Sequence, residues 1–172
     1  MKTFLLTAVL LYFLSSCNLL PVKKPTQNEN PIPDLTGSWK ILTMKGVDAA
    51  GRIHYPFEKE VNGFTTFDRA NNFSMQFYAS SRPVFSNRDP YFCSDAEIRI
   101  AFLSESSAYG TFRQTTDSIF LQTVASNNPS RSWSHDRYAY KIHGDTLLLI
   151  SSPKKINGQL LAEYSVWLRS SQ

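Results

Sequence analysis

A chain of 172 residues, 42% of them hydrophobic, is long enough to bury one substantial core and too short for two domains of ordinary size. Its formal charge of +4, from 18 basic and 14 acidic side chains, is a weak excess spread along the chain rather than clustered. That distribution excludes the concentrated basic face of a nucleic-acid binder.

The first residues read as an address. Met1-Lys2-Thr3 precedes an apolar run, Phe4 to Leu14, that is shorter than the roughly 20 residues a helix needs to cross a bilayer. Residues 1–16 therefore read as a signal peptide. "LSSC", Leu14 to Cys17, resembles the lipobox of bacterial lipoproteins, which implies a diacylglyceryl group on the Cys17 sulfur, cleavage before Cys17 and acylation of the new amino group. Such an anchor would hold the protein on a membrane by about 20 kcal/mol or more, at ~0.8 kcal/mol per buried methylene. Asn18 follows without an aspartate or an acidic run, and by resemblance to lipoprotein sorting signals this points to the periplasmic face of the outer membrane. With Cys17, residues 18–34 form a spacer: they hold four of the nine prolines and no aromatic residue. Once Cys17 is lipidated, Cys93 has no disulfide partner and reads as a small buried hydrophobe at a helix start.

The folded domain is expected over residues 35–172. In "SWKILTMKGV", Trp39, Ile41, Thr43 and Lys45 alternate with Lys40, Leu42, Met44 and Gly46, the period of a strand. "DAAG" turns the chain, and "RIHYPF" is a short extended piece. Two β-rich segments then flank a hairpin loop at Asp68 to Asn72; in the second, Phe73, Met75, Phe77 and Ala79 share a face. One helix interrupts the pattern. Ser94 and Glu97 have capping-box spacing, and Ile98, Ala101 and Phe102 recur at helical intervals in "SDAEIRIAFLSES". Beyond it, "AYGTFRQTT", "SIFLQTVAS", "RSWSHDRYAYKIH", "TLLLISS" and "LLAEYSVWLRS" are strands separated by turn signals. Roughly eight strands with short connections predict an all-β fold, an antiparallel up-and-down barrel with one short helix.

Chemistry is sparse. There is no Gly-x-Ser-x-Gly elbow, and in "SHD" the strand period puts His135 on the opposite side from Ser134 and Asp136. His54, His135 and His143 lack close metal-ligand spacing, and no glycine-rich loop cradles a phosphate. The reading is a non-enzyme without metal or cofactor. In the sixth strand Trp133, His135, Arg137, Ala139 and Lys141 share one face, and Ser134, Asp136, Tyr138 and Tyr140 the other. Either could line a lumen: the first would offer stacking and donors to a polar head, the second an apolar wall with phenolic handles. Alternation alone does not choose between them.

"LTGSWKILTMKGVDAAGRIHYPF" and "VNGFTTFDRANNFSMQFYASSRPVF" resemble the bacterial and fungal lipocalin-like domain family. The resemblance rests on the Leu-x-Gly-x-Trp start, Gly51 with Tyr55-Pro56-Phe57, Ser74-Met75-Gln76, Arg82-Pro83, Ala108-Tyr109-Gly110 with Phe112, and Gly144-Asp145 with Leu147 and Leu149. It departs at "NNPSRSW", at the expected ligand-end loops. It implies that Gly37 and Trp39 begin the first strand at the closed end, with Arg169 stacked on the indole. It also implies a small hydrophobic or amphipathic ligand in the barrel, against Phe73, Met75, Phe77 and Phe112. A barrel filled by its own side chains, serving envelope interaction or chaperoning, is the alternative.

Overall fold

The computed structural model describes residues 31–156 and 158–170. The signal peptide, Cys17 and most of the spacer lie outside the described residues. Ten strands and one α-helix follow in order: β1 (Gly37–Val47), β2 (Ile53–His54), β3 (Val61–Phe67), β4 (Asn72–Ala79), α1 (Asp95–Leu103), β5 (Glu105–Gln114), β6 (Ser118–Ser126), β7 (His135–His143), β8 (Thr146–Ser151), β9 (Lys154–Ile156) and β10 (Gln159–Arg169).

Eight of these strands close on themselves. The antiparallel order β1-β3-β4-β5-β6-β7-β8-β10 is completed by pairing of β10 back onto β1, from Trp39 opposite Arg169 to Val47 opposite Ala162. β2 extends β1 locally, and β9 pairs only with the start of β10. Closure removes the unpaired edges that would otherwise template association. The turns β3–β4, β5–β6 and β7–β8 gather at the end where β1 begins. The β1–β2 turn, residues 80–104, the β6–β7 loop and β9 gather at the other.

The sequence explains most of these boundaries. Asp68 accepts the Asn72 amide at 2.8 Å and Asn71 takes a left-handed φ of 63°, which closes the β3–β4 hairpin one residue earlier than its turn formers suggest. The capping box forms as expected: the Ser94 side chain accepts from the Glu97 amide and Glu97 reaches back to the Ser94 amide. α1 stops at Leu103, so Glu105 and Ser106, read as helical, belong to β5.

Three expectations are corrected. In β1 the register shifts between Ile41 and Thr43, so Trp39 and Ile41 are buried but Met44, not Thr43, continues inward, and Leu42 is exposed. A bulge adds one residue to one strand and flips the alternation beyond it. In α1 only Ala101 is buried, whereas Ile98, Ile100, Phe102 and Leu103 keep 41–59% of their surface exposed. Cys93 is half-buried rather than buried, its thiol directed at the Asn87 and Asp89 carbonyls, and the helix cap is Ser94.

Candidate functional site

The barrel is plugged at one end. Trp39 is 0% exposed, and its indole N–H donates to the Leu35 carbonyl at 2.8 Å. The Arg169 guanidinium lies 4.1 Å from the Trp39 ring and donates to the Thr36 and Asp34 carbonyls at 2.6 and 2.8 Å. Gly37 leaves room for this arginine: an added Cβ would lie 3.4 Å from its Nη1 and would require a φ of +122°. Above the plug, Phe67 and Phe112 pack edge to face at 4.9 Å, Phe73 is buried in the same core, and the Tyr140 hydroxyl donates to the Thr115 carbonyl at 2.8 Å. Phe73, Phe112 and Tyr140 thus belong to the filled base.

The opposite half is hollow. A cavity of about 410 Å³ opens between residues 102–106 and the β6–β7 and β9–β10 segments. Met44, Met75, Phe77, Leu121, Leu149 and Trp167 make its apolar wall, and Phe102 and Leu103 reach it from α1. Phe77 is held edge-on by Phe57 at 5.1 Å and faces Trp167 at 6.3 Å. The base is therefore filled core and the mouth encloses a cavity, although both are built from the inward-facing residues of the same strands.

The cavity's other wall is polar. Lys154 Nζ donates to the Tyr138 hydroxyl at 3.2 Å and lies 3.3 Å from Glu163 Oε2. Arg131 Nη2 lies 3.5 Å from Asp136 Oδ2, to which the Ser134 hydroxyl also donates at 3.3 Å. Burial pushes the Tyr138 phenol above its usual pKa, with the Glu163 charge adding to the shift, so the group stays a neutral donor. Burial works to lower the Lys154 pKa, yet Tyr138 and the Glu163 carboxylate outweigh it and the net direction is upward.

β7 resolves the choice that alternation left open. Tyr138 and Tyr140 are buried on the inner face, and Asp136 lines the cavity. Trp133, His135 and Arg137 do not reach the lumen. Trp133 sits in the β6–β7 loop with a φ of 63° and 71% exposure. His135 and Arg137 face outward, and the Arg137 guanidinium donates to the Ser118 hydroxyl and lies 5.6 Å from the Phe120 ring. A strand can turn only one of its faces to the core, and packing gave that face to the tyrosines.

Of the residues expected on the wall, Met75, Phe77 and Tyr138 line the cavity. Arg131, Lys154 and Glu163 were not foreseen as lining residues, whereas Asp136 stands on the strand face that turned inward. Lys154 stands in the "PKKING" turn signal, and Arg131 opens the segment read as the sixth strand but lies in the turn before β7, where strand alternation does not apply. Glu163 was legible in principle, because Leu161, Glu163, Ser165 and Trp167 alternate on one face, and a carboxylate among core residues marks a lumen. Among the described residues no group of three or more His, Cys, Asp or Glu side chains is placed to hold a metal ion.

A closed eight-stranded antiparallel barrel, plugged at one end and hollow at the other, has the lipocalin-like architecture. The lipocalin-like domain family matches residues 36–170, and the chain belongs to that family. No curated protein matches the chain significantly.

Proposed function

We propose that this protein is a lipid-anchored binding module of the bacterial envelope that holds a small hydrophobic or amphipathic molecule in the open half of its barrel. The supporting observation is the cavity: its volume of about 410 Å³ falls within the roughly 300–1,000 Å³ of small-molecule sites, and its lining mixes an apolar wall with a few convergent polar groups. The module reads as non-enzymatic, with binding as its whole task. Cys17 would carry the lipid, and the outer membrane, facing the periplasm, is the proposed location.

Native mass spectrometry of the purified full chain tests the binding reading. A co-purifying small molecule, lost in a Met75→Trp variant whose indole fills the cavity while the unfolding temperature is unchanged, is the expected result. A bare protein mass that stays bare after incubation with long-chain probes would overturn it.

One observation favours a second reading, an envelope interaction or chaperone-like role. Val84, Tyr91 and Phe92 are 94%, 96% and 74% exposed, beside the exposed side chains of α1. Crosslinking from Tyr91 to an envelope protein in a cavity-filled variant would support that reading over ligand carriage.

A further inference from the structure

The two ends of the barrel differ in what they show to their surroundings. At the plugged end the β3–β4, β5–β6 and β7–β8 turns, residues 68–71, 115–117 and 144–145, carry no large hydrophobic side chain that is exposed. At the open end every crossing between barrel strands carries at least one: Tyr55 after β2, Val84, Tyr91 and Phe92 in the 80–104 segment, Trp133 in the β6–β7 loop, and Leu160 where β9 turns into β10. Val84 and Tyr91 are almost wholly uncovered. Trp133 is held outward by a left-handed φ of 63°, a conformation that bulky residues rarely adopt. A surface that meets only water does not gather such residues at one end. Standing on separate tips around a rim, they form no single groove for a peptide, and tyrosine and tryptophan beside aliphatic tips are the side chains of a membrane–water boundary. Charge on the 80–104 segment agrees. Among the described residues Arg88 and Arg99 enter no ion pair, whereas Asp89 and Glu97 are turned onto backbone amides and Asp95 is the exposed carboxylate beside them.

From this asymmetry we infer that the open rim is a second membrane contact, docking mouth-down on the phospholipid bilayer that holds the anchor. Tyr91, Phe92, Val84 and Trp133 enter the boundary between headgroups and acyl chains, and Arg88 and Arg99 meet the phosphates. This rests on the lipid anchor proposed above and not on any occupant of the cavity. The chain before β1 is long enough for it. Residues 18–34 reach about 58 Å at full extension, against about 36 Å for the 11 residues of β1, so a chain that enters at the plugged base can still pass the barrel's height. Tethering also makes the contact intramolecular: a short linker holds the rim at an effective concentration on the order of millimolar, so a few shallow side chains suffice where a free protein would need many.

Trp133 is itself the reporter. The protein, expressed in a bacterium from the full sequence and purified with its anchor, is reconstituted into phosphatidylethanolamine–phosphatidylglycerol vesicles that contain phosphatidylcholine brominated on its acyl chains. Flotation reads the anchor and tryptophan emission reads the rim. Bromine quenches an indole it touches, Trp39 and Trp167 are buried, and Trp133→Phe supplies their baseline. Trp133 should be quenched, and Tyr91→Ser with Phe92→Ser should cut that quenching about threefold or more while flotation and circular dichroism are unchanged. An unquenched Trp133 in protein that floats overturns the lipid contact, leaves the anchor standing and returns the rim to a protein partner. Quenching that the double substitution does not reduce overturns the rim as its cause. Protein that neither floats nor is quenched overturns anchor and rim together.

Discussion

At the scale of single residues, the plugged base stands on one cation. Arg169 spans the gap between β10 and the entering chain: its guanidinium covers the Trp39 ring and its two donors hold the carbonyls of Asp34 and Thr36. Both kinds of contact disappear together when the side chain is cut back. Arg169→Ala should lower stability by about 2 kcal/mol, summing a cation–π contact and two hydrogen bonds from a charged donor, measured as a shift of the urea midpoint. Arg169→Lys should recover less than half, since a point charge cannot fork between two carbonyls. An unchanged midpoint in the alanine variant would remove the base from the list of stabilising features. The Leu-x-Gly-x-Trp start makes this arrangement legible in sequence only because the partner arginine, far along the chain, is supplied by resemblance.

Among elements, two connections carry distinct consequences. Between β5 and β6 the register shifts at Tyr109/Gly110, and a Cβ on Gly110 would collide with the Gln122 carbonyl oxygen and press on the Phe73 ring. Gly110→Ala should therefore cost about 3 kcal/mol, read by chemical denaturation, because backbone rather than a flexible side chain must yield. The second connection is the 80–104 segment. Glu97 Oε1 accepts the Ser86 amide at 2.9 Å, and Oε2 accepts the Ser94 amide at 2.9 Å and the Ser94 hydroxyl at 2.8 Å, so one carboxylate ties the loop to the start of α1. The Ser86 and Ser94 bonds hold its pKa down from 4.5 to about 2. A depressed carboxylate pKa stabilises the folded form above the unfolded value and loses that contribution as pH falls through the folded one. The tie should thus hold above about pH 4.5 and fail toward pH 2. The Ser86 amide shift in NMR should titrate with a midpoint near 2, and Glu97→Gln should abolish the transition.

Over the whole molecule, the proposed anchor and the barrel make separable demands. Cys17→Ala should move the protein from the membrane pellet to the soluble or unprocessed fraction, while circular dichroism of the barrel stays unchanged. Co-loss of barrel structure would show that the lipid also supports the fold. The cavity lies away from the end at which the chain enters β1, since Asp34 and Thr36 are held at the plugged base and the mouth lies at the opposite turns.

The sequence by itself determined the class of fold and most of its elements: period-two alternation with turn residues at short intervals fits a closed antiparallel sheet, and the Ser94–Glu97 spacing fixes where α1 begins. Those signals are local, carried by residues within one turn or one strand of each other. Tertiary structure alone decided which face of β7 turns inward, where the β1 alternation inverts after Ile41, and that α1 buries little beyond Ala101. It also assembled the polar wall, bringing Arg131 from the β6–β7 loop against Asp136, and Lys154 from β9 against Tyr138 on β7 and Glu163 on β10. The reason is physical. Inward and outward are properties of closure, settled by which side chains fill a finite core, and a lumen appears only where the inward residues of strands far apart in sequence leave volume between them.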